Sequence, residues 1–135
     1  MKKHSCKVYF RIAGRFDPDF VSCVLGLTPY RVRRCGDVLP ISNIVVDEDD
    51  MDICYNDVYN VDLNEMLRVS LKPLMNKVEL LKTIRAELGV EYYVVLVPRI
   101  DLDSDDPTPV LSLDNDIMEF MCKIGAKHDL DYYIY

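Results

Sequence analysis

The chain has 135 residues, half of them hydrophobic and 29% charged, which is the make-up of one ordinary globular domain. Sixteen Lys and Arg against 23 Asp and Glu leave a net charge of −7. That excludes bulk binding to nucleic acid or anionic membrane, because both need net positive surface.

The pattern begins with Val8, Phe10 and Ile12 alternating with Lys7, Tyr9 and Arg11, the period of a half-buried strand. Asp17-Pro18 opens a helix, with Asp17 capping and Pro18 at the first helical position, where its missing N–H costs nothing. Phe20, Val21, Val24 and Leu25 give it an apolar face, and Gly26 stops it. An extended segment over 28–37 ends in a Gly36-Asp37 turn. Strands are expected at 41–46 and 51–59, split by the run Asp47-Glu48-Asp49-Asp50, which forms or flanks a hairpin turn. Asp62 followed by Glu65 starts a long helical region. Its apolar residues include Leu63, Met66, Leu67, Leu71, Leu74, Leu81, Ile84 and Leu88. Pro73 predicts a kink or two abutting helices there. Residues 91–97 are continuously β-branched and aromatic, which predicts a central strand buried on both faces and ended by Pro98. A short strand at 110–113 precedes a third helix over 114–124. That helix presents Ile117, Met118, Met121 and Ile124, and a strand formed around Leu130, Tyr132 and Ile134 closes the chain. The order predicts an α+β fold in one domain, residues 1–135. We expect a two-layer sandwich with a largely antiparallel sheet and three helices on one face.

Five cysteines, an odd number with no CxxC spacing, speak for reduced thiols rather than a disulfide framework. Arg11 and Arg15 interrupt any apolar stretch after the basic N-terminus, so no signal sequence is expected. No apolar run approaches the ~20 residues of a membrane helix. The expected location is cytoplasmic.

Charge is unevenly spread. Residues 1–36 carry eight basic and two acidic side chains, and residues 37–62 carry eight acidic and no basic ones. Residues 63–99 carry six basic and four acidic, and residues 100–135 two basic and nine acidic. Such runs either solvate the surface or dock a basic partner, whose approach complementary charge would speed.

Tests for chemistry return little. Asp101, Asp103 and Asp105 imitate a calcium loop, yet Asp106 and Ser112 stand where an EF-hand needs Gly and Glu. His4, Cys6 and His128 lack the close pairing of zinc ligands. A Cys/His or Ser/His nucleophile would have to be assembled from His4 or His128, and no G-x-S-x-G supports it. A P-loop and a G-x-G-x-x-G are both missing. No catalytic residue, cofactor or metal is therefore assigned, and the reading leans away from an enzyme. Tyr30 with Arg31, Arg33 and Arg34 forms one basic, aromatic stretch able to grip phosphates, or else to pair with the acidic blocks.

Phe16-Asp17-Pro18, Leu25-Gly26-Leu27-Thr28-Pro29 and Gly36-Asp37 resemble the opening of the bacterial domain of unknown function 4279 family. Leu113-Asp114, Ile124-Gly125-Ala126 and Leu130-Asp131-Tyr132-Tyr133 resemble its ending. The chain departs from the family's pattern in lacking a tryptophan in the central strands, where Ile53-Cys54-Tyr55 stands. The resemblance implies a small cytosolic bacterial protein and transfers no catalytic residue.

Two functions then compete. The first is a non-catalytic protein-binding module, of the immunity type that neutralises a basic toxin. It would act through Asp47, Glu48, Asp49, Asp50 and Asp52 together with Asp101, Asp103, Asp105 and Asp106. The second is a small-ligand or anion-binding domain built on Arg31, Arg33 and Arg34. Pairing of two chains through an exposed edge strand is a further expectation.

Overall fold

The computed structural model describes residues 3–135. Strand β1 (Ser5–Gly14) leads into α1 (Pro18–Leu25), followed by β2 (Arg31–Arg33) and β3 (Asp49–Asn56). Two helices, α2 (Leu63–Met75) and α3 (Val78–Leu88), precede β4 (Glu91–Ile100). Helix α4 (Asn115–Ile124) and two short strands, β5 (Lys127–Leu130) and β6 (Tyr133–Ile134), complete the chain. The expected α+β class holds. The sheet runs β2-β3-β1-β4-β5, with β6 also on β4. Its pairings are antiparallel except where β5 and β6 run parallel to β4.

Period two decides what each face of the sheet meets. Val8, Phe10 and Ile12 of β1, Met51 and Ile53 of β3, and Tyr92, Val94 and Leu96 of β4 are fully buried, and all join one core cluster. Buried residues of all four helices join the same cluster, so the helices share one face of the sheet. Each such side chain contributes about 1.5–3 kcal/mol by leaving water. Tyr92 brings a hydroxyl into this layer and donates it to the Leu81 carbonyl at 2.7 Å. The opposite face is only partly covered: Val95 is buried but Tyr93 and Val97 beside it are half-buried, so β4 is covered on both sides only at its middle.

Several boundaries differ from expectation. The long helical region is two helices, making four in all, and the chain breaks at Asn76-Lys77 after Pro73. Phe20 of α1 and Met118 of α4 face solvent, and Phe120 takes the core position on α4. Pro98 does not end β4. The Leu96 and Ile100 carbonyls accept from Asp131 and Tyr135, so the amide nitrogen of Pro98 faces the same edge. It falls in the gap between the pairing with β5, which ends at Leu96, and the pairing with β6, which starts at Arg99, where no donor is required. Residues 41–46 are not a strand. Pro40 and Asn43, at φ 55°, turn the chain, and Ile41 is 99% exposed. Residues 110–113 contribute only a single bridge, from Val110 to Asp62.

Candidate functional site

Of the run Asp47 to Asp52, Asp47 and Glu48 precede β3 and Asp49 onward forms its start, and the structure engages most of the run internally. Asp52, its side chain 3% exposed, accepts from Arg11 at 2.9 Å and meets Arg31 at 2.7 Å. Asp50 pairs with Arg33 at 3.2 Å. Asp49 accepts from the backbone N–H of Phe16 at 3.1 Å and of Cys35 at 2.9 Å. A carboxylate this enclosed persists only with such partners. Asp47 and Glu48 remain exposed. The arginines are committed by the same contacts. Arg31 and Arg33 lie over Asp52 and Asp50, while Arg34 turns to Asp17 and Asp19 at the start of α1, at 3.6 and 3.1 Å. The three cations expected to share an anion are thus divided, each with its own carboxylate.

The second acidic run lies at the other end of the sheet. Asp49 faces Gly14 at the end of β1, whereas Asp101 and Asp106 are held by His4, just before β1 begins. A ten-residue strand separates these ends by about 30 Å, so the two runs do not form one patch. His4 is buried, 6% exposed, and acts as a clamp. Its Nδ1 accepts from the Asp101 N–H at 3.1 Å, and its Nε2 donates to the Asp106 carbonyl at 3.2 Å. That pattern requires the neutral ring with its proton on Nε2.

Three other segments meet this pole. The Val61 carbonyl accepts from the Val110 N–H, and the Val110 carbonyl from the Leu63 N–H. Asp62 caps α2 through the N–H groups of Asn64 and Glu65. The Asn64 side chain exchanges two hydrogen bonds with Asp114, at 2.9 and 3.0 Å, which sets the starts of α2 and α4 side by side. Arg68 bridges Asp114 and Asp116. Between these segments run two grooves that share Glu65. One, of about 460 Å³, includes Asp62, Val110 and Asp114. The other, of about 300 Å³, includes Val58, Tyr59 and Val69. Val58 is 75% exposed, and Val61, Val69 and Val110 also face solvent. The Tyr59 hydroxyl is buried without a hydrogen-bond partner among the described residues, and its pKa is raised by burial and by the nearby charge of Asp106.

The result is an apolar floor with Asp62, Glu65 and Asp114 along it, and the loop over 101–106 joins the same pole through His4 and through Asp106 near Tyr59. Sequence reading found the loop acids and missed the others. Asp62 and Asp114 did carry a signal, since both read as helix starts, but their adjacency is a tertiary fact. Elsewhere, Cys6 and Cys54 are thiols pushed up to about 11 by burial, which makes them poor nucleophiles. Cys6 pairs with Pro98 and His128 with Val94, four residues apart along β4, so His4, Cys6 and His128 do not converge. Among the described residues no group of three or more His, Cys, Asp or Glu could hold a metal ion, and no helix is long and apolar enough to cross a membrane.

A family model described as a domain of unknown function (DUF4279) matches residues 4–135, and the chain belongs to that family. No curated protein and no solved structure gave a match.

Proposed function

We propose that this DUF4279 chain is a non-catalytic protein-binding module that receives a basic, amphipathic segment of a partner protein at the acidic pole. The observation that carries the reading is the pair of grooves sharing Glu65. Exposed valines lie along them beside Asp62, Glu65 and Asp114, and the exposed Asp105 stands in the loop that His4 holds at the same pole. Apolar contact would supply affinity, and these acids would supply steering and selection for Lys and Arg. A basic toxin neutralised by an immunity-type protein is the biological form we favour. A bacterial cytoplasm suits the five unpaired thiols.

The test uses a synthetic amphipathic helix of Leu and Lys, titrated against protein with labelled valine methyls. We expect shifts at Val58, Val61, Val69 and Val110. Affinity should fall roughly tenfold in Glu65→Lys/Asp105→Lys, with little change in Asp47→Lys/Glu48→Lys. Unmoved methyls, or a loss confined to the Asp47/Glu48 variant, would overturn the proposal. So would concentration-dependent methyl shifts without peptide, because a second copy of the chain would then occupy the grooves.

A further inference from the structure

We infer that the cleft between the C-terminal ends of α3 and α4 binds a small oxyanion, a phosphate or phosphate monoester. The site lies away from the acidic pole and does not depend on the protein-binding reading. Its cavity is about 350 Å³, and Lys82 and Arg85 of α3 converge there with Lys123 of α4. The lining acid is Glu91, which leaves an excess of positive charge in a chain whose net charge is −7. Three features make this more than a chance meeting of surface cations.

The first is the seating of Arg85. A Cβ on Gly125 would stand 2.7 Å from its Nη1 and 2.9 Å from its Cζ, so the guanidinium lies flat on a backbone that only glycine leaves open. The second is that Arg85 is loosely held: among the described residues its Nε has no hydrogen-bond partner, and its carboxylate contact, Nη2 to Glu91, is long at 3.5 Å. Its side chain is 42% exposed at the cleft, where an oxyanion would bond the guanidinium. The third is that the lysines are free to swing. Lys82 meets Glu79 at 3.8 Å and Lys123 meets Glu119 at 3.3 Å, each along its own helix and half-exposed. Such pairs contribute little and give way readily.

Inorganic phosphate and pyrophosphate, titrated against chloride at constant ionic strength, test this by nitrogen-resolved NMR. We expect saturable shifts at Arg85 Nε–H and at the Gly89 and Gly125 amides. The Lys82→Ala/Lys123→Ala variant, which alters only exposed side chains, should bind at least roughly tenfold more weakly. Gly125→Ala should displace Arg85 and remove its Nε response while the fold persists. Shifts that stay linear and spread to Lys72 and Lys77, or unchanged binding by the double variant, would overturn the inference.

Discussion

The clamp formed by His4 can be measured directly. His4→Ala removes the acceptor of the Asp101 N–H and the donor to the Asp106 carbonyl. Each hydrogen bond contributes about 1 kcal/mol net, so the loss is about 2 kcal/mol. Unfolding a 135-residue domain releases entropy of about 0.28 kcal/mol/K, so Tm should fall by about 7 °C. The loss is local as well as global. Within the loop, the Asp103 N–H bonds the Asp101 carboxylate, the Ser104 N–H the Asp101 carbonyl, and the Asp106 N–H the Ser104 hydroxyl. Without the clamp, amide exchange over 101–106 should rise well before global unfolding. Lys7→Ala, an exposed change on the same strand, serves as the control. A Tm change under about 1 °C with unaltered exchange in the loop would refute the reasoning.

Asp52→Asn should cost about 3 kcal/mol in urea denaturation, because it leaves Arg11 and Arg31 without their enclosed charge. Asp47→Asn, four positions from the strand's buried center of charge, should stay within about 0.5 kcal/mol. The Arg68 guanidinium holds the Asp116 carboxyl below its ordinary range. Its stabilising effect is therefore present above the unfolded value near 4 and disappears as pH falls through the lower folded value. Wild type and Asp116→Asn should thus differ in Tm at neutral pH and converge in strong acid. With a colorimetric thiol reagent, Cys23, Cys35 and Cys122 should react quickly in the native protein, while buried Cys6 and half-buried Cys54 wait for unfolding. Gly125→Ala and Gly26→Ala share φ near 68° and should each cost about 1 kcal/mol, since the side chain met by the first can move. Unequal costs by thermal denaturation would show Arg85 to be fixed more firmly than its contacts imply.

Elements governed by local pattern were legible from sequence: the alternation in β1, the Asp17-Pro18 start and Gly26 stop of α1, and the Asp62 cap of α2. What escaped was set by neighbours distant in the chain. The Asp47 to Asp50 run looked like a turn because aspartate is depleted in strands. Its second half becomes strand, where Arg33 of β2 supplies the counter-charge to Asp50 and the N–H groups of Phe16 and Cys35 bond Asp49. Apolar Ile41 to Val46 looked like strand, but Pro40 and Asn43 bend it into an exposed loop. The valine grooves were illegible for a similar reason, since Val58 meets Val69 across one groove and Val110 reaches Val61 in the other through its bridge to Asp62, all contacts between separate segments.

Two aspartate-rich runs that look alike in sequence therefore play opposite parts, and the difference lies in which groups the fold uses. In β3 the backbone belongs to the ladder, so the side chains must find partners, and Asp49, Asp50 and Asp52 find them within the molecule. In the loop after β4 no ladder exists, and the backbone must be satisfied by side chains instead. His4 does this from β1's side, binding the loop at Asp101 N–H and Asp106 C=O. The ring bonds backbone groups alone and leaves the carboxylate of Asp105 exposed. A charge-reversal scan should reflect this division: changes at 50 and 52 should reduce stability, and a change at 105 should reduce binding alone.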